Sequence, residues 1–343
     1  MVKRVFEDKT LLLTVVIPSY NVAEYLEHAV VSVASSKYIE YLEVIIVNDG
    51  STDDTAVIGR DLEKKYGCVR LINKKNGGHG STINVGLKNA RGKYFRLLDG
   101  DDYFDTRVFD KFLEKLEKET SDMVFTTYVE NYAKTGVVRN INPYSKLIEG
   151  KQYLIDDIDF DYYGPMLPCT TIKTSLMQKA GIEIDEHCFY VDQEYNLFSY
   201  ILSKTVTYYD MPIYHYRLER DGQSMTKTSL IKNVLHHEKV SLRLIKEFTE
   251  HSGSLSDKRT AYLVDRVIIP MCHAQYTIVI DYMRSKKYFS SFDKKLKLYQ
   301  RFYNDPGIAG RTVKLYRSTN GNLIKLHVPV KKMASIARRA VGK

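Results

Sequence analysis

Four short apolar runs in the first hundred residues each end in a polar cluster, and each is followed by a stretch with helical periodicity. The runs are residues 11–17, 42–47, 69–72 and 94–98, with a fifth at 123–127. The helical stretches are 22–35, 53–66, 81–89 and 107–119. Runs this short alternating with helices predict βαβ units and a mainly parallel sheet. In an open parallel sheet, ligands bind beyond the carboxyl ends of the strands. The clusters that fall there are Pro18-Ser19-Tyr20-Asn21, Asn48-Asp49-Gly50-Ser51, Lys74-Lys75-Asn76-Gly77-Gly78 and Asp99-Gly100-Asp101-Asp102. A single cluster could be an ordinary turn; four in order predict one polar crevice. Asn21 is placed to cap the first helix, and Thr52-Asp53-Asp54 the second.

The chain has 343 residues, enough for a catalytic domain and a smaller one. With 44% hydrophobic and 27% charged residues, it has the composition of a globular protein rather than a disordered one. Beyond about residue 228 the pattern turns helical, so a boundary is expected between 1–227 and 228–343. Four widely spaced cysteines, with no Cys-x-x-Cys pair, argue against a zinc site or disulfide framework and predict a reducing compartment. The charged first ten residues do not read as a secretory signal. The most apolar long stretch, 262–283, is interrupted by Asp265, Arg266, His273 and Asp281, and is expected to be a buried helix. These features predict a cytoplasmic protein.

Asp99, Asp101 and Asp102 crowd three carboxylates onto a glycine-containing loop. Like charges that close call for a compensating cation or strong donors. A hard divalent ion completed by a ligand diphosphate would serve. The plainer alternative is a solvated helix N-terminus, where acids are favoured.

The stretches Val15-Val16-Ile17-Pro18-Ser19-Tyr20-Asn21, Val47-Asn48-Asp49-Gly50-Ser51-Thr52-Asp53, Asn84-Val85-Gly86-Leu87 with Ala90-Arg91-Gly92, and Leu97-Leu98-Asp99-Gly100-Asp101-Asp102 together resemble the family 2 glycosyltransferases, over about residues 11–220. The resemblance implies an α/β fold of the glycosyltransferase A type. This is a Rossmann-like, mainly parallel sheet flanked by helices, here with a C-terminal helical appendage. It also implies inverting, metal-dependent sugar transfer from a nucleotide-sugar, with UDP favoured, and a role in bacterial cell-surface polysaccharide synthesis. Tyr20 would lie against the nucleobase and Asp49 would accept from its imide N–H. Pro18, Asn21, Asn76, Gly78 and Gly100 would line the donor site. Asp99 would face the ribose, Asp101 would hold Mn²⁺ or Mg²⁺, and Asp102 would support them. In Phe189-Tyr190-Val191-Asp192-Gln193-Glu194-Tyr195, Asp192 matches the family's general base. Val191 replaces the acid that usually precedes the base, and Glu194 is the fallback. Arg217 and Ser224 match a loop that closes over the donor diphosphate.

Gly77-Gly78-His79-Gly80 lacks the third glycine of a dinucleotide fingerprint, since position 83 is Ile83. It reads instead as a loop entering a helix whose N–H groups face a phosphate or sugar. His79 is either a donor contact or a loop residue with no role.

All of the net charge of +9 lies at the C-terminal end. Residues 311–343 hold nine Lys and Arg and no acid. Within 331–343, Met333, Ile336, Ala337, Ala340 and Val341 share a helical face opposite Lys331, Lys332, Arg338 and Arg339. Such a basic amphipathic helix predicts peripheral contact with an anionic membrane, which suits a lipid-linked acceptor as readily as a free glycan. No nucleic-acid motif accompanies the charge. Two other functions compete. A catalytically degenerate sugar-binding subunit would not need Asp99, Asp101 and Asp192. A sugar nucleotidyltransferase would carry a Gly-rich loop ending in a basic residue where this chain has Pro18-Ser19-Tyr20-Asn21.

Overall fold

The computed structural model describes residues 10–159, 164–219 and 226–327. Two compact units divide at Asp221/Gly222, whereas the sequence pattern placed the boundary after residue 227.

The first unit is built on one ten-stranded sheet. Its elements run β1 (Leu13–Ser19), α1 (Ala23–Ala34), β2 (Leu42–Asn48), α2 (Thr55–Lys65), β3 (Val69–Asn73), α3 (His79–Asn89), β4 (Tyr94–Leu97), β5 (Tyr103–Phe104) and α4 (Thr106–Glu117). They continue with β6 (Met123–Tyr132), β7 (Val138–Ile141), β8 (Gln152–Leu154), β9 (Thr170–Lys173), α5 (Thr174–Lys179), α6 (Asp192–Leu202) and β10 (Thr205–Leu218). The strand order is β3-β2-β1-β4-β9-β6-β10-β5, with β7 on β6 and β8 on β10. The first four are mutually parallel, and β9 is antiparallel to both β4 and β6. Every residue of β1, β2 and β4 is buried. Continuous burial of this kind belongs to parallel strands covered on both faces.

Three residues of the sequence motifs explain how α3 and its flanks seat on this sheet. A side chain at Gly86 would come 2.4 Å from Val16, so glycine lets α3 lie directly on β1. Asn84 exchanges two hydrogen bonds with the backbone of Ile184, each 2.8 Å, fastening a later segment to the same helix. At Gly92 a Cβ would fall 2.4 Å from the Thr14 nitrogen. Beside it, the buried Glu43 accepts from Thr14 Oγ1 and from Arg91 through both its backbone N and Nε.

Helix starts are satisfied partly by distant partners. Asp105 caps α4, accepting from the backbone of Arg107 and Val108. Asn21 does not cap α1: its Oδ1 accepts from Thr52 N at 2.8 Å. The first amides of α1 are met from across the sheet edge. Val22 N donates to Thr55 Oγ1 and Ala23 N to Asp53 Oδ2, both at 3.0 Å. Burial disfavours the Asp53 charge, but bonds from Thr55 and Ala23 outweigh it and hold the carboxyl below its usual range.

β10 is the long strand that returns to the site. Its register against β6 shifts on either side of Pro212. Proline has no N–H to give the ladder, and such irregularities bend a strand. After the bend, Tyr214 and His215 pair with Phe104 and Tyr103 of β5.

The second unit is helical among its described residues. It comprises α7 (Lys227–Lys232), α8 (Val234–His251), α9 (Asp257–Tyr282), α10 (Lys286–Leu296), α11 (Gln300–Asn304) and α12 (Arg311–Ser318). Helix α9 contains two π-helical stretches, the first ending just before Pro270. Proline removes one ladder donor there, and wide turns accommodate such interruptions. By length and composition α9 could cross a membrane, and half of its apolar window is buried in the protein. Arg317 ties this unit together, bonding Asp293 at 2.6 Å and lying 3.6 Å over the Tyr303 ring.

Candidate active site

The four polar clusters lie at the carboxyl ends of β1, β2, β3 and β4, and hydrogen bonds join neighbouring ones. Gly100 N donates to the Pro18 carbonyl at 3.1 Å. A Cβ at Gly100 would sit 2.8 Å from that same oxygen, so the approach of the fourth loop to the first requires glycine. Tyr20 projects beyond β1 and is 51% exposed. An aromatic this open suits stacking against a planar ligand. Asn21, at φ 52°, joins the first loop to the second through Thr52.

Asp49 is only 2% exposed, and its carboxylate is enclosed by donors of the third loop. Oδ1 accepts from Lys74 Nζ at 2.7 Å, Gly77 N at 2.9 Å and Ser81 Oγ at 3.3 Å; Oδ2 accepts from Gly78 N at 2.8 Å. Asn76 Nδ2 donates to the Asp49 carbonyl. The amides of Gly77 and Gly78 therefore face a carboxylate of the protein itself. A base contact at Asp49 would come on top of four occupied positions. Lys74 and Ser81 are the residues that sequence reasoning gave no role here, and neither stands in a spacing that marks it.

The acid loop is held from behind by β10. The Tyr214 hydroxyl accepts from Asp99 N at 3.3 Å and donates to Asp102 Oδ2 at 2.7 Å, bridging both ends of the loop. Asp102 is fully buried, and its Oδ1 accepts from Arg217 N at 2.8 Å. Burial, then the charges of Asp101 and Asp99, push the Asp102 carboxyl well above its ordinary value. Arg217 also donates through Nη1 to the Asp101 carbonyl.

His79 opens α3 and bonds Asp99 Oδ1 through Nε2 at 3.1 Å. Burial lowers its pKa, but the bond to Asp99 and the charges of Asp99, Asp192 and Asp101 outweigh this and raise it. The imidazole is thus bonded to the acid loop, and the charge of Asp192, which begins α6, also acts on it. Burial raises the Asp192 carboxyl, and Asp99 adds to that, against the Gln193 hydrogen bond and the His79 charge. The segment before Asp192 is clamped onto the glycine run. His187 N donates to the Gly77 carbonyl, and a Cβ at Gly80 would come 2.1 Å from the Asp185 carbonyl. His187 and Tyr190 both adopt positive φ, which is uncommon for residues with side chains. Glu194, the fallback base, is fully buried and accepts from Asp185 N at 2.9 Å, so it fixes this segment.

Asp99, Asp101, Asp192 and His79 therefore come together, with Tyr20 on the neighbouring loop. Ser224 lies outside the described residues. Among the described residues, no three His, Cys, Asp or Glu side chains gather as a metal cage. The hard carboxylate oxygens at Asp99 and Asp101, whose charges push up the neighbouring Asp102 carboxyl, fit a divalent cation completed by oxygens of a bound diphosphate. Sequence spacing carries no sign of the Tyr214 bridge, because its partners lie more than a hundred positions away.

A family model described as glycosyl transferase family 2 matches residues 14–188. The minor teichoic acid biosynthesis protein GgaB of Bacillus subtilis is 29% identical over 237 residues, covering 66% of this chain and 25% of that protein. The matches span less than half the length of this and several other curated relatives. TarS 1–349 of S. aureus, solved with UDP-GlcNAc, superposes with a TM-score of 0.57 at 18% identity, covering 90% of this chain and 92% of that one. The mannosyltransferase PcManGT of Pyrobaculum calidifontis, solved with GDP-Man and Mn²⁺, gives 0.50 at 15% identity, covering 92% and 88%. At these identities the two structures establish a shared fold, of the glycosyltransferase A type with a helical C-terminal region.

Proposed function

The chain belongs to the family 2 glycosyltransferases, and from that membership we propose that it transfers a sugar from a nucleotide-sugar, with UDP as the nucleotide, to a hydroxyl of a glycan or lipid-linked acceptor in cell-surface polysaccharide synthesis. The observation that carries this reading is the His79–Asp99 hydrogen bond at 3.1 Å at the acid loop, where the charges of Asp101 and Asp192 also act on His79.

Asp192 is the general base. A carboxylate beside the acceptor hydroxyl takes its proton as that oxygen attacks the anomeric carbon. The bond from that carbon to the diphosphate breaks on the opposite side, so one displacement inverts the configuration. Asp101 would hold Mn²⁺ or Mg²⁺, which when bound acts as a Lewis acid on the departing diphosphate. Tyr20 stacks on the nucleobase, and Asp49 keeps the third loop folded at its edge. TarS is described with UDP-GlcNAc and PcManGT with GDP-Man and Mn²⁺, which supports a nucleotide-sugar donor and a cation for this chain. A peripheral membrane contact through 331–343, on the cytoplasmic face, belongs to the same proposal.

The test is a screen of nucleotide-sugars with Mn²⁺, reading nucleotide release, followed by Asp192→Asn on the active donor with its acceptor. Loss of one positioned base lowers kcat by about 10²–10⁴-fold. Transfer by Asp192→Asn at the parent rate would remove Asp192 from this role. Turnover of no donor would favour a sugar-binding subunit.

A further inference from the structure

The family resemblance assigns Arg217 to a loop that closes over the donor diphosphate, and in the structure its side chain is bonded to the acid loop. Its Nη1 donates to the Asp101 carbonyl, and its backbone N donates to the buried Asp102 carboxylate at 2.8 Å. Its Nη2 meets His28 Nδ1, so His28 accepts there as a neutral ring. Burial, and then the Arg217 charge, lower the His28 pKa, which agrees with that tautomer. The guanidinium lies 4.6 Å over the Tyr103 ring and 5.3 Å from the Tyr25 ring. Tyr103 in turn stacks between His28 at 4.3 Å and His215 at 4.7 Å. A planar fork bonded at both ends and packed against rings has a fixed position.

We propose that Arg217 is a positioning residue for Asp101, holding the acid loop through the Asp101 carbonyl, with Asp102 as the anchor that fixes Arg217 to the loop. This rests on the reading of Asp101 as the cation ligand. A carbonyl bonded to a stacked guanidinium keeps its peptide from rotating. The Asp101 side chain, attached to the Cα that adjoins this carbonyl, then leaves the backbone in one direction. Asp102 cannot serve the cation in the same way. It is fully buried, and its two oxygens are taken by Tyr214 and Arg217. The three acids of the loop therefore divide: one is spent on the scaffold so that another is aimed. Lysine at 217 could reach one of the two bonding partners but could not bond both and stack as well.

The test measures Mn²⁺ binding to the full chain in the presence of UDP, from the electron paramagnetic resonance signal of free Mn²⁺. In parallel, metal-free UDP binding is followed by ligand-observed NMR. Partners that orient a ligand from outside its coordination shell change metal affinity by about 10–100-fold when removed. Arg217→Lys is expected to weaken Mn²⁺ binding by about 10-fold, with metal-free UDP binding within about twofold of the parent. His28→Ala, which leaves the Asp101 contact in place, is expected to move Mn²⁺ affinity the same way by a smaller factor; it also stands in if Arg217→Lys fails to fold. Loss of metal-free UDP binding in Arg217→Lys, or Mn²⁺ affinity unchanged in both variants, overturns the proposal. Asp101→Asn is the control: Mn²⁺ affinity unchanged in that variant would overturn the metal reading itself, and the positioning role with it.

Discussion

Asp49 and Asp192 are both acids of the site, and their neighbours give them opposite work. Around Asp49 stand Lys74, the amides of Gly77 and Gly78, and Ser81, so its charge is consumed in holding a loop. Asparagine there would lose the ion pair and turn an NH₂ toward groups that are themselves donors. Breaking a buried pair in this way costs about 3–5 kcal/mol, and the partial exposure of Lys74 places Asp49→Asn near the lower end, about 3 kcal/mol. Urea unfolding measures it; unchanged stability with weaker donor binding would mean that Asp49 serves the base alone. Among the described residues Asp192 has no comparable ring of donors, and burial raises its carboxyl. A base works only when ionised. A raised pKa in the free protein therefore moves the acidic limb of the kcat/KM profile to a pH above that of an ordinary carboxylate, and activity is lost as pH falls through it. A limb at or below the ordinary value would contradict this. Absence of a limb, with Asp192→Asn still active, would place the base elsewhere.

At the scale of elements, two glycines at the start and middle of α3 separate site geometry from core packing. A Cβ at Gly80 would meet the Asp185 carbonyl, backbone of the segment that delivers Asp192, whereas one at Gly86 would meet the Val16 side chain in the core. Gly86→Ala is expected to cost about 1–3 kcal/mol of stability through overpacking, with kcat nearly unchanged in the folded fraction. Gly80→Ala is expected to lower kcat at least tenfold, about 1.4 kcal/mol in barrier, because it displaces Asp192, the proposed base. Equal kcat values for the two variants, corrected for folded protein, would show that the clamp does not position Asp192. The parallel half of the sheet was legible because each strand is a buried apolar run ended by polar residues, and the acid loop was legible because its charges are adjacent. What could not be read involved partners far apart in sequence. Tyr214 meets Asp102 only because β10 bends at Pro212 and returns to β5. Asn21 has the residue type of a cap, yet Thr55 and Asp53, thirty or more positions away, accept from the amides at the start of α1. Local spacing encodes neither.

Over the whole molecule, charge is distributed as unevenly as chemistry. Acids and bases balance up to residue 310, and no acid follows Asp305. The described part of that last stretch exposes Leu315, Leu323 and Leu326, the last at 76%, among the exposed Arg311, Lys314 and Lys325. Leucines left in water beside unopposed cations match a surface that is anionic outside and apolar beneath, and each cation near such a surface adds about 1 kcal/mol. The full chain is therefore expected to sediment with phosphatidylglycerol vesicles and not with phosphatidylcholine. Binding should weaken as salt rises from about 0.1 to 1 M, where the Debye length falls from about 10 to 3 Å. Lys325→Ala should weaken it about fivefold, the equivalent of 1 kcal/mol. Leu326→Glu, which removes an apolar anchor and adds a repelled charge, should weaken it more. Equal binding to both lipids would assign the attraction to apolar contact alone. Binding to neither would leave the excess charge without a membrane role and detach the acceptor's location from this end of the chain.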